Sequence, residues 1–87
     1  MRERQIEAHL VQRVRELGGE VRKLSWIGRH GAPGRLVMLP GQTLFVELKA
    51  PGQKAKSHQL RDHARMRAMG QQVLVIDSVQ AVDALLP

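Results

Sequence analysis

Hydrophobic positions recur at helical spacing from the start of the chain. Ile6, Leu10, Val14 and Leu17 follow one another in steps of three or four, which predicts a helix over residues 3–17, stopped by Gly18-Gly19. The period then changes. Residues 20–26, EVRKLSW, place Val21, Leu24 and Trp26 in an imperfect alternation and predict a first strand. The segment 27–34, IGRHGAPG, is a Gly/Pro loop. RLVML (35–39) and QTLFVELKA (42–50) read as second and third strands. Pro40-Gly41 is a turn dipeptide between them, so the two form a hairpin. PGQKAK (51–56) is a basic loop. Ser57 stands as an N-cap for a second helix, HQLRDHARMRAM, ended by Gly70, with Leu60, Ala64 and Ala68 as its narrow apolar stripe. QQVLVID (71–77) reads as a buried fourth strand. Ser78 caps a short last helix that packs through Val79, Val82, Leu85 and Leu86.

The order αβββαβα predicts an α/β fold, a small mixed sheet flanked by helices. The chain length of 87 residues fits one domain over 1–87. The passage from strand three through a helix to strand four favours a parallel pair with a right-handed crossover. A chain this short buries a small core. Together with the apolar last helix, that points to a homodimer. No apolar run approaches a membrane span, so no membrane partner is expected. The absence of cysteine excludes a disulfide framework and a thiolate zinc site. The first residues read as a charged amphipathic helix, not a signal peptide, and the expected location is cytoplasmic.

Charge adds a partner class. The formal net charge is +6, and the stretch 22–56 holds Arg22, Lys23, Arg29, Arg35, Lys49, Lys54 and Lys56 against the single acid Glu47. That balance suits a polyanion such as DNA or RNA.

The single acid lies in TLFVELKAPG (43–52). Strand alternation puts Leu44, Val46 and Leu48 on one face and Phe45, Glu47 and Lys49 on the other. A carboxylate there can hold a hard divalent cation. An ammonium beside it can position or deprotonate an attacking water and offset charge on a phosphorane-like transition state. Taken alone, the pair reads first as an exposed salt bridge on a half-solvated sheet face.

The surrounding pattern is more specific. In order along the chain come a first helix with Glu7, Gly31-Ala32-Pro33-Gly34-Arg35, a hairpin, Val46-Glu47-Leu48-Lys49, Ser57-His58-Gln59, and the strand GQQVLVI. This resembles the PD-(D/E)xK nuclease fold and, within it, the VRR-NUC family, over nearly the whole chain. The resemblance implies a Mg²⁺-dependent (Mn²⁺ as substitute) structure-selective DNA endonuclease. Stand-alone members look like homodimeric, phage-borne enzymes that cut Holliday junctions. It also implies that Glu47, the Leu48 carbonyl and Glu7 hold the metal, that Lys49 acts on the attacking water, and that Gln59 meets a phosphate or a site water. One position departs: the family's metal-binding aspartate falls at Gly34, and no Asp or Glu lies between Glu20 and Glu47. The expectation is a nuclease impaired as written. The rivals are a nucleic-acid-binding module without catalysis and a protein-interaction domain on the same fold.

Lys23, Arg29, Arg35, Lys54 and Lys56 are the expected DNA-binding residues, through the phosphate contacts that dominate nucleic-acid affinity. The histidines lack metal-binding spacing. His58 and His63 read as surface or core-edge residues, and His30 as a loop residue near DNA. Trp26 reads as core or dimer packing before base stacking.

Overall fold

The computed structural model describes residues 1–87. Its elements are α1 (Glu3–Glu16), β1 (Glu20–Lys23), β2 (Arg35–Leu39), β3 (Gln42–Leu48), α2 (Ser57–Ala68), β4 (Val73–Ile76) and α3 (Val79–Leu85). The order is the αβββαβα that hydrophobic patterning predicts. The four strands form one sheet in the order β1-β2-β3-β4. β1–β2 and β2–β3 are antiparallel, and β3–β4, joined through α2, is parallel.

The core lies between α1, α3 and one face of the sheet. Ile6, Leu10 and Val14 of α1 meet Val37, Leu44, Val46, Leu48 and Ile76 of the strands and Val82 and Leu86 near the C-terminus. Leu44, Val46 and Leu48 alternate with the partly buried Phe45 and Glu47, as a strand covered on both faces requires. Ser78 Oγ accepts the Ala81 N–H at 3.0 Å and caps α3 as expected. α3 spends its apolar residues on α1, and His9 and Arg13 reach across to Asp83 to fasten the two helices. That helix therefore offers no apolar face for dimerisation.

Three expectations on this framework are corrected. β1 ends at Lys23 and not at Trp26. The Leu24 N–H still donates to the Gly34 carbonyl, but Trp26 leaves the ladder and donates its indole N–H to the Pro33 carbonyl at 2.7 Å. β3 ends at Leu48. The Lys49 N–H continues onto Ile76, and Pro51, which has no N–H, closes off the strand.

The third correction is α2. Its N-cap is Lys56, with Gln59 Oε1 accepting the Lys56 N–H at 2.8 Å. Its buried residues are Asp62, His63 and Met66, while Leu60 is half-exposed and Ala64 and Ala68 face solvent. The 27–34 loop presses on this helix. Gly31 sits at φ +84°, and a Cβ there would come within 2.7 Å of the His58 carbonyl oxygen. That close approach covers the polar side of the helix and leaves the apolar stripe outside.

Candidate active site

The Glu47–Lys49 pair is built by β3. The register Arg35↔Val46, continued by one residue, puts Gly34 opposite Glu47. The Lys49 ammonium lies 4.0 Å from Glu47 Oε2, and both side chains are mostly buried, 16% and 15% exposed. Burial pushes the Glu47 carboxyl above the usual glutamate range. Lys49 and the Gly34 backbone N–H pull it back, Glu3 adds to the rise, and Arg35 opposes it. A mostly buried acid beside an ammonium has its charge state set by its surroundings, which is how sites of acid–base chemistry are made.

Arg35 sits beside this pair. Its Nε donates to Glu7, and its Nη1 donates to the Gly34 carbonyl at 3.1 Å. A cleft of about 360 Å³ opens here, lined by Arg2, Glu3, Arg4, Glu7 and Arg35. So Glu7 is drawn to an arginine, and Arg35 is as much a structural clamp as a cation for phosphate. Gln59 uses its carbonyl on the helix cap, which leaves its amide NH₂ toward any further partner.

The other expected DNA-contact residues come from β1 and from two loops. Lys23 ends β1, and Lys54 and Lys56 stand exposed on the loop after Lys49; none has an ion-pair partner. Arg29 is mostly exposed and lies 4.0 Å from the buried Asp62, which also accepts from Arg65 at 3.0 Å. His63 is fully buried, contrary to the surface or core-edge expectation, and neither ring nitrogen has a hydrogen-bond partner. His30 is exposed on the loop.

The fold recurs in known proteins. The chain is 52% identical, over 100% of its own length and 94% of the relative's, to "Putative nuclease p44" of Acyrthosiphon pisum secondary endosymbiont phage 1. A solved VRR-NUC domain superposes with a TM-score of 0.87 at 46% identity, covering 95% of this chain and 91% of that one. The chain belongs to the VRR-NUC family. No family model matches it. The αβββαβα sheet is thus the VRR-NUC form of the PD-(D/E)xK fold.

Membership makes the donor set at Gly34 the decisive feature. In this VRR-NUC chain no three His, Asp or Glu side chains converge as a metal site. Glu47 is matched to Lys49, Glu7 to Arg35, and the position opposite Glu47 carries no side chain. As written, these residues do not fit a hard divalent cation, which requires several oxygen donors in near-octahedral geometry. The backbone at position 34 has room for a side chain. A Cβ on Gly34 meets nothing within 4 Å, and Gly34 is not among the glycines with positive φ.

Sequence reasoning missed the residues that arrange charge. Arg2 and Arg4 enter the cleft only because α1 begins there. Asp62 was unreadable as a buried anchor for Arg29, although Asp62 and Arg65, three apart on a helix, were visible as a pair.

Proposed function

We propose that this chain is a phosphodiester-cleaving nuclease of the VRR-NUC type acting on branched DNA, in a form whose cleavage is disabled at Gly34. The observation that carries the reading is the mostly buried Glu47–Lys49 pair, 4.0 Å apart, with the bare Gly34 backbone opposite it. Within a VRR-NUC fold that constellation is a hydrolytic site short of one carboxylate. Lys49 is placed to offset charge on a reacting phosphate, and its partial burial strengthens that effect relative to water. Glu47 holds the ammonium in place. The unpaired Lys23, Lys54 and Lys56, with Arg29, supply sequence-independent contacts to the DNA backbone. Holliday-junction preference, a homodimer and dependence on Mg²⁺ or Mn²⁺ complete the proposal. The cation dependence belongs to a chain with an acid at position 34.

A second reading is favoured by the same gap: a DNA-binding module that no longer cuts. The test for both is Gly34→Asp. A side chain there stands directly across the pair from Glu47, where cross-strand Cβ atoms are about 5 Å apart. The expected outcome is Mg²⁺- or Mn²⁺-dependent nicking of branched DNA by Gly34→Asp, at least about 100-fold above the parent chain, on the scale of losing a transition-state-stabilising group. Adding Glu47→Ala or Lys49→Ala should abolish it while DNA binding persists. A folded, DNA-binding Gly34→Asp chain that still cuts nothing leaves the binding-module reading standing.

A further inference from the structure

Next to the candidate active site is a second feature that the nuclease chemistry does not use. A groove of about 260 Å³ is lined by Trp26, Arg29, Asp62, Arg65, Met66 and Met69. Trp26 is fixed from behind: its indole N–H is held by the Pro33 carbonyl, and its ring centroid lies 6.0 Å from that of Phe45. Yet 37% of the residue remains exposed, Met69 is 70% exposed, and Ile27 at the loop tip is 98% exposed. Two guanidinium groups border the groove, and the buried Asp62 carboxylate holds both: Arg65 at 3.0 Å and Arg29 at 4.0 Å.

We infer that this groove receives one unpaired nucleobase of a branched or single-stranded DNA, stacked on Trp26, with the adjoining phosphates on Arg29 and Arg65. Four features select that occupant. The groove is smaller than the cavities that hold drug-sized molecules. An aromatic face, two thioethers and flanking cations match a base with its phosphates, the combination by which single-stranded nucleic acid is held without reading sequence. The tryptophan already has its indole N–H satisfied, so a ring stacked on it costs no hydrogen bond. Finally, Phe45, against which Trp26 leans, lies two residues before Glu47 on the same face of β3, about 7 Å away. A strand whose base enters the groove therefore passes the Glu47–Lys49 pair. Ile27, projecting beside the groove, is placed to press on the last stacked base pair, as apolar wedges do where proteins unstack DNA. The Trp26–Ile27 corner is then the element that prefers a branch point over a continuous duplex. This rests on the DNA-directed function proposed above.

Trp26 is the only tryptophan and the chain has no tyrosine, so its fluorescence reports on the groove alone. The wild-type chain is titrated at low salt with a four-way junction, a single strand and a blunt duplex of equal length. Junction and single strand should quench Trp26, and the duplex should leave it nearly unchanged. Trp26→Leu should weaken junction binding by roughly 5- to 150-fold while changing duplex affinity less than about twofold. Ile27→Ser, at a position that packs against nothing, guards against a folding defect and should narrow the junction-over-duplex preference. Equal quenching by all three DNAs, or an unchanged junction preference in both folded variants, overturns the inference but leaves a DNA-binding protein. Absence of binding to any of the DNAs overturns both it and the function on which it rests.

Discussion

Glu47 is where stability and chemistry pull apart. Its folded-state pKa is raised above the ordinary value of 4.5, chiefly because burial disfavours the carboxylate. For an acid raised in this way, the stabilising state is the protonated one. Its contribution is complete below about pH 4.5 and is lost as pH rises through the folded value. At neutral pH the ionised Glu47 is therefore a net cost to the fold, even with Lys49 beside it. Glu47→Gln should unfold at higher urea concentration than wild type at pH 7, and the difference should close near pH 4. A variant less stable than wild type at pH 7 would show that Lys49 more than compensates for burial. His63 poses the converse case. It is buried with no well-aligned hydrogen-bond partner on either ring nitrogen, and its pKa is lowered by burial and by Arg67, against the opposing pull of Asp62 and the nearby Gly31 backbone, with Lys49 adding to the lowering. The folded chain refuses a proton that the unfolded chain accepts. Stability should hold above about pH 6.5 and fall as pH drops through the folded value. His63→Leu should raise stability by about 1–3 kcal/mol at pH 7, the cost of an unsatisfied buried polar group, and should remove the loss seen on acidification. Denaturant midpoints at pH 7 and 5.5 for both chains measure it.

At the scale of elements, the contact between the 27–34 loop and α2 decides which side of that helix is buried. Gly31 makes the contact possible, because it adopts φ +84° and has no Cβ, which would run into the His58 and Gln59 backbone. Gly31→Ala should cost at least about 2 kcal/mol, combining left-handed strain with overpacking against a carbonyl that cannot yield. Thermal unfolding of this variant, compared with an alanine at the open Gly28 position, isolates the close approach. The same contact explains what the sequence could and could not disclose. The strands, the hairpin, the parallel β3–β4 pair and the Ser78 cap were legible because each depends on local spacing: alternation, a Pro-Gly turn, an N-cap hydroxyl. The Glu47–Lys49 pair was legible for the same reason, being two residues apart at the end of β3. The orientation of α2 was not. Leu60, Ala64 and Ala68 form the apolar stripe that periodicity rewards, whereas burial of Asp62 and His63 is imposed by a loop some thirty residues earlier in the chain. Nor was the capture of Glu7 by Arg35, which requires the register between α1 and β2 to be known.

On the scale of the whole molecule, the question is how many cations face the DNA and in how many copies. Several of the fourteen Lys and Arg residues are already engaged within the chain, among them Arg13, Arg35 and Arg67. Those open to phosphates are Lys23, Lys54 and Lys56, with Arg29 and Arg65 at the groove, 4.0 and 3.0 Å from Asp62. Each phosphate neutralised releases condensed counterions, so the logarithm of the binding constant should fall with the logarithm of salt at about −0.9 per contact. Five contacts on one protomer give a slope of about −4.5, and a symmetric pair engaging both sides of a junction gives about −9. α3 is spent on α1, so a dimer must use other surface, and the half-exposed Leu60 on α2 is the available apolar residue on the helix that faces away from the core. The slope therefore distinguishes the assemblies without a structure of the complex. Junction binding measured between 50 and 200 mM salt should give the steeper value for the wild-type chain, and sedimentation at micromolar concentration should show two copies. Leu60→Glu should shift the sedimenting species toward the monomer and bring the slope back toward about −4.5. A shallow slope together with a single monomeric species for the wild-type chain would leave one protomer acting alone, and paired nicking of a four-way junction would then have no structural basis.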